Sequence, residues 1–245
     1  MPIEPDPRDL PPGLAPAWAS SAPKQPRRGP KPAHTVEEIV TAAVEVADAE
    51  GLAGASLPNI AASLGLTTNA LYRYVGSKEE LLVLLADAGF GPPPLLAAGA
   101  WRDEVRAWTE AALLRYEARP WLLDIPFHGD ALTPHRLRWT ELLLRTFTTA
   151  GLPDSDALGC AQLITDLTRT TAARRRAASD PDAATAPGRA EAVRSFLAPV
   201  LGEDGYSSLA ALTSAGRYPA EPAEGFALER VLEGIGGLVV RESTS

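Results

Sequence analysis

The chain has 245 residues, 45% of them hydrophobic, which is enough for one large or two ordinary domains with a real core. Its 23 basic and 31 acidic side chains give a formal charge of −8, which argues against a protein that coats nucleic acid or an anionic membrane over its whole surface. The single cysteine, Cys160, excludes an intrachain disulfide framework and a Cys-rich zinc site, and no run of about 18 apolar residues is present to span a membrane.

The chain starts MPIEPDPRDLPPGL, acidic and Pro-rich where a secretory signal needs a basic and then an apolar run, so a cytoplasmic location is expected. Ten of the 23 prolines fall in the first 32 residues, and residues 1–33 read as an extended, poorly ordered arm. Leu10, Leu14 and Trp18 either dock as a small apolar patch on the body or leave the arm untethered. The arm ends in KQPRRGPKP, with no acidic residue between Leu10 and Val36.

Helical spacing starts at Thr35. Thr35 and Glu38 form a capping box, and Val36, Ile39, Val40, Ala43, Val46 and Ala47 recur at three and four. Gly51 and Gly54 mark its end. Ser56 caps a short second helix with Pro58 in its first turn, and Leu64-Gly65 stops it. A third short helix runs through Tyr74, and Gly76-Ser77 opens a fourth that reaches Phe90. Beyond Gly91-Pro92-Pro93-Pro94 the pieces are longer: one helix marked by Trp101 to Tyr116, a short WLLDI segment opened by Pro120, and one with Thr133 as N-cap and Pro134 at its first position. Others follow at about 154–179, 189–201, 205–215 and 223–241. No convincing alternating strand is present, so the predicted fold class is all-α.

The window Leu57 to Tyr74, LPNIAASLGLTTNALYRY, carries the function. A helix-turn-helix crosses two short helices at a tight turn, which needs a small residue at the crossing, a glycine in the turn and apolar residues facing inward. Ala61, Gly65, and Ile60, Leu64, Leu66 and Leu71 fill those roles. The exposed side of the second helix is then Thr67, Thr68, Asn69, Tyr72, Arg73 and Tyr74, hydroxyl, amide and guanidinium groups that can bond phosphates and base edges. Lys78, at the next helix start, suits a phosphate. Any helical hairpin with a Gly turn could show the inward set alone; the added LYRY, Lys78 and Leu81-Leu82 make a DNA reader the better account.

The block TTNALYRYVGSKEELL closely resembles the N-terminal domain of the TetR family of bacterial repressors, strongly over about residues 35–90. The resemblance implies a three-helix head at 34–90 and a helical effector-binding and dimerisation domain at 95–241. It places Thr67, Thr68, Asn69 and Tyr72 toward the major groove, Tyr74 and Lys78 on phosphates, and Thr35 and Ser56 at caps near the DNA strand. One departure stands out: where relatives often carry Arg or Lys near the start of the second helix, this chain has Pro58. Arg27 and Arg28 either enter an adjacent minor groove or belong to a solubilising tail. Arg outnumbers Lys 20 to 3, so a single Arg says little by itself.

The family dimerises through two late helices, which correspond here to about 155–178 and 226–240. Both also read as stripes closing a monomer core. Aromatics concentrate between the head and those helices, and the candidate effector-pocket residues are Trp108, Tyr116, Trp121, Phe127, Trp139 and Phe147 with Gln162, Asp166 and Arg169. His34, His128 and His135 lack metal-ligand spacing, and no nucleophile elbow, phosphate loop or dinucleotide fingerprint is present, so neither an enzyme nor a bound cofactor is expected. The expected partners are an operator in double-stranded DNA, a second copy of the chain and a small-molecule effector. The alternative is a helical small-molecule or partner-binding module that no longer reads DNA. Deleting residues 1–33 should weaken operator binding and flatten its dependence on salt in a salt titration; an unchanged slope would leave the arm a solubilising tail.

Overall fold

The computed structural model describes residues 10–21, 34–126, 132–179, 188–203, 205–218 and 225–242, among which there is no strand. Four polar N-caps lay out the head. At α2 (Val36–Gly54), Thr35 Oγ1 accepts from the Glu38 N–H at 3.2 Å while Glu38 Oε2 accepts from the Thr35 N–H at 2.9 Å. Ser56, Thr67 and Ser77 start α3 (Leu57–Ser63), α4 (Thr68–Leu71) and α5 (Lys78–Phe90), each hydroxyl accepting from the N–H three residues on. Gly51 departs from helical geometry at φ 72°, so the last turn of α2 is offset from the rest. Between α3 and α4 the chain turns at Gly65, φ 66°, and the Leu66 N–H donates to Ala61 O at 2.8 Å. Ala61, Ile60 and Leu71 are buried where the two helices meet, together with Ile39, Ala43, Leu81 and Leu85.

The body is built from α6 (Trp101–Ala118), a 3₁₀ turn (Pro120–Leu123), α7 (Pro134–Thr149), α8 (Asp154–Ser179), α9 (Arg189–Glu203), α10 (Ser207–Ser214) and α11 (Phe226–Glu242). Helices α6, α7 and α8 pack on one another, α11 lies along α8, and α9 pairs with α10. The Arg106 guanidinium grips Glu229 through two bonds of 2.9 Å, tying α6 to α11, and the Thr146 hydroxyl donates to Glu104 at 2.7 Å, tying α7 to α6.

Head and body share α5. Its last residue, Phe90, is wedged edge-on between Tyr116 and Trp139, with ring centroids 5.3 and 5.0 Å away. The Trp139 Nε1–H donates to Gly91 O and the Trp108 Nε1–H to Trp139 O, both at 2.9 Å. Gly89 lies so close under the Trp121 ring that an added Cβ would overlap it. From α2, Asp48 accepts the Trp121 Nε1–H at 2.7 Å and the Arg119 Nε–H at 3.1 Å, while Arg119 also donates to Gly89 O at 2.9 Å.

Three expectations change. Residues Leu14–Ser21, read as part of an extended arm, form a helix, α1, that packs on α5 and α7; the Trp18 Nε1–H donates to Leu132 O at 2.9 Å, and Ala17 is buried against Val40 and Leu84. The helix expected through Tyr74 is regular only to Leu71, and the Arg73 and Tyr74 N–H groups bond three residues back in a tightened last turn. Thr133 stands at the N-cap position of α7 but makes no capping bond.

That cap comes instead from α5. Asp87 Oδ1 accepts the N–H groups of His135 at 3.0 Å and Arg136 at 3.2 Å, and the His135 ring lies 3.2 Å from Oδ2. Burial pushes the Asp87 carboxyl up, but the His135 ring, the neighbouring Thr133 hydroxyl and the α7 backbone together outweigh it, and the net shift is downward. The bond to Asp87 raises His135 in turn, against the opposing effect of burial. Both shifts describe one contact. The aspartate contribution is complete above its unfolded pKa of about 3.9 and is lost as pH falls through the lowered folded value. The histidinium contribution is complete below about 6.5 and is lost as pH rises through the raised folded value. Asp87→Ala should therefore cost about 2 kcal/mol, a fall in Tm of about 4–8 °C, and the gap between wild type and variant should narrow in melts run from about pH 6 to about pH 8.5.

Candidate nucleic-acid interface and effector cavity

The short α4 and the turn after it gather the candidate reading groups. Thr67, Asn69, Tyr72 and Arg73 are exposed there, with Thr68 and Tyr74 half-buried. Tyr72 is 47% exposed, a large ring left in water beside a fully buried Leu71. Thr67 Oγ1 accepts the Ala70 N–H at 3.2 Å, so its hydroxyl caps α4 and can still donate its own proton. Tyr74 packs its ring partly on the head core. Lys78 is exposed in the first turn of α5, and neither it nor Arg73 forms an ion pair with a described residue. Ser56 and Thr35 serve as caps of α3 and α2, and Pro58 is exposed in the first turn of α3. Arg27 and Arg28 lie outside the described residues.

A cavity of about 370 Å³ opens beside α5, within the size range of small-molecule sites. Its walls come from α5, α6, α7, α8, the 3₁₀ turn and the segment leading into α1. Of the candidate pocket residues, Tyr116 and Arg169 line it. The others sit elsewhere. Trp108, Trp121, Trp139 and Phe147 are core residues, and the three indole N–H groups are already taken by Trp139 O, Asp48 and Gly91 O. Gln162 and Asp166 are on the exposed side of α8, and Phe127 lies outside the described residues. Arg169 donates to Leu122 O, Leu123 O and Ile125 O at 3.3, 2.9 and 3.2 Å, which fixes the chain segment along one wall.

The lining that the sequence reading missed is the second apolar side of α5, Leu82, Val83, Ala86 and Phe90, with Thr133 and Arg136 of α7. A signal was present: KEELLVLLADAGF is apolar on more than one side, which requires two partners rather than one. The Arg136 guanidinium lies over the Phe90 ring at 4.6 Å. Thr133 Oγ1 is buried and, although it lies toward Asp87, has no partner with hydrogen-bond geometry. Glu79, fully exposed at the rim, is held below the ordinary carboxylate range by its own backbone N–H and by the Ser77 hydroxyl.

Elsewhere on the body, α8 leaves Leu158 and Leu163 exposed and α11 leaves Phe226 exposed. The two helices otherwise send Ala161, Ile164, Leu232 and Ile235 into the core.

Comparison with known proteins agrees with this architecture. The family model described as bacterial regulatory proteins, tetR family, matches residues 39–85, and the tetracyclin repressor-like C-terminal domain matches residues 93–238. The HTH-type transcriptional repressor DrrR1 of Streptomyces coeruleorubidus is 34% identical over 224 residues, covering 89% of this chain and 83% of that protein. Apo ActR from Streptomyces coelicolor superposes with a TM-score of 0.68 at 22% identity, over 87% of this chain and 99% of ActR. ActR in complex with actinorhodin gives 0.67 at 23% identity, over 84% and 98%. The exposed reading turn, the all-helical body and these matches together establish that the chain belongs to the TetR family of bacterial regulatory proteins.

Proposed function

We propose that a homodimer of this chain represses transcription from a palindromic operator in the cytoplasm and is released when a small molecule fills the cavity beside α5. The observation that carries the reading is the double use of α5. Its first turn follows the short α4 and holds Lys78, and one side of the helix, from Glu79 through Leu82, Val83 and Ala86 to Phe90, is a wall of the cavity. A ligand that moves that wall moves the head. The similar proteins support both halves of the reading, since DrrR1 is a transcriptional repressor and ActR, of the same fold, binds actinorhodin. No side chain in this reading performs catalysis.

The head is residues 34–90 and the effector and dimer region 95–241. Thr68, Asn69, Tyr72 and Arg73 read bases, and Lys78, Tyr74 and Thr67 hold phosphates. One short helix covers about three or four base pairs, and at roughly 1–3 kcal/mol per mismatch that is too little to find one site in a genome. Two copies related by a two-fold axis double the contacts, and the exposed Leu158, Leu163 and Phe226 on α8 and α11 supply the apolar surface for pairing. Release needs the ligand to prefer the non-binding pose by a few kcal/mol.

Pro58 favours a second reading, a ligand-binding module whose head no longer reads DNA, because a basic side chain often found near that position in relatives is missing. A mobility shift on the gene's own upstream region separates the two. Asn69→Ala combined with Tyr72→Ala should abolish specific operator binding, a loss of at least about 2 kcal/mol per half-site, while sedimentation still shows the dimer. A footprint retained by that double variant would overturn the assignment.

A further inference from the structure

The cavity beside α5 is not enclosed by the body alone. Pro11, Pro12 and Leu14, which precede the DNA head in sequence, form part of its lining. This segment is pinned in place by its own contacts with α2, α5 and the residue before Thr133. Ala17 is buried against Val40 of α2 and Leu84 of α5, and the Trp18 indole donates to Leu132 O at 2.9 Å. Gly13 is buried at φ 79°, and a Cβ placed there would stand 2.7 Å from Val83 Cβ, so the backbone lies directly against α5 where only glycine fits. Docking is thus secured by one side of α1, while Leu14 and the two proline rings face the open volume. Proline rings suit such a wall because they have almost no conformational freedom to lose when a ligand packs on them.

Two polar groups of the lining lie at and just before the start of α7. Thr133 Oγ1 is buried beside Asp87 without a bond of good hydrogen-bond geometry, and such a group normally completes one with the protein, with water or with a ligand. The Arg136 guanidinium is stacked on Phe90, which leaves its N–H edge for an acceptor. The remaining lining is mostly aliphatic and aromatic, including Leu82, Val83 and Tyr116.

We propose that the segment Leu10–Ser21 is a wall of the small-molecule site, and that the site takes a largely apolar ligand with an anionic or carbonyl acceptor directed at Thr133 and Arg136. The proposal rests on reading the cavity as the effector site. It adds that ligand affinity and selectivity are set partly by residues N-terminal to the head. Because the same segment is buried against α2 and α5, a ligand too large for the closed cavity lifts α1 and disturbs the head directly.

The test is binding of 1-anilinonaphthalene-8-sulfonate, a largely apolar aromatic anion, to the full-length protein by fluorescence titration. Four variants are compared: Gly13→Ala, which lifts the wall without removing a lining side chain, Leu14→Ala, Thr133→Val and Arg136→Leu. Thermal melts and circular dichroism confirm that each variant is folded. The expected result is about tenfold weaker dye binding for Gly13→Ala and Leu14→Ala, and a comparable loss for Thr133→Val and Arg136→Leu. Loss with the α7 variants but not with Gly13→Ala or Leu14→Ala overturns the wall and keeps the cavity as the site. Tighter binding by Gly13→Ala also overturns it, because the segment would then be a plug that a ligand displaces. No dye binding to the wild type, or binding indifferent to all four variants, overturns the cavity reading itself.

Discussion

Helix α5 has no free side, and the rest of the molecule is arranged around that constraint. Leu81 and Leu85 are buried in the head core, Leu84 is buried against Val40 and Ala17, and Leu82, Val83 and Ala86 line the cavity. Asp87 holds the start of α7, and Phe90 is clamped by Tyr116 and Trp139. At roughly 1.5–3 kcal/mol per fully buried large apolar side chain, four such residues represent about 6–12 kcal/mol, an upper bound comparable with the whole stability of a domain. Detaching α5 from either unit would therefore unfold the protein. A signal can only pass as a small movement of the helix with its contacts kept, and a few kcal/mol of ligand preference suffice for that.

The contacts that hold head to body are polar at the edge and aromatic at the centre. Asp48 receives both Arg119 and Trp121, and Arg119 reaches Gly89 O, so α2, α5 and the 3₁₀ turn meet at one carboxylate. The missing side chain at Gly89 is what lets the Trp121 ring approach α5. The arrangement is directional: the N–H donors fix orientation, while the T-shaped Phe90, Tyr116, Trp139 and Trp108 contacts supply the burial. Such an edge lets the two units shift together but not slide freely.

Local chemistry made much of the head readable without a structure. Thr35 with Glu38, Ser56, Ser77 and Gly65 announce helix ends through bonds spanning three to five residues, and Ala61 and Leu71 follow from packing across one turn. The failures involve partners far away in the chain. Helix α1 was hidden by proline density, yet Pro16 falls in its first turn, where a missing N–H costs little, and the helix is stabilised by Val40, Leu84 and Leu132. Thr133 has the sequence of a cap, but the cap is Asp87, 48 residues from His135, whose N–H it accepts. The tryptophans offered as pocket residues are core because Gly91 O, Trp139 O and Asp48 satisfy them, none of which a local pattern reveals.

Arginine use sharpens what the charge of −8 means. Several of the 20 arginines are occupied as crosslinks between elements: Arg106 with Glu229, Arg119 with Asp48, Arg175 with Glu117, and Arg176 with Asp124 and Pro120 O. Arg175 and Arg176, adjacent near the end of a long helix, tie α8 to α6 and to the 3₁₀ turn. The planar, forked guanidinium can satisfy a carboxylate and a carbonyl at once, so these residues serve the fold and contribute little free positive charge. Arg73 and Lys78 stand apart, exposed next to the reading turn without an ion pair among the described residues. A protein built this way attracts DNA weakly over most of its surface. Within residues 34–90 the only Lys and Arg side chains are Lys78 and Arg73, so the positive charge of the head is confined to the edge of α4 while the rest of its surface is neutral or acidic.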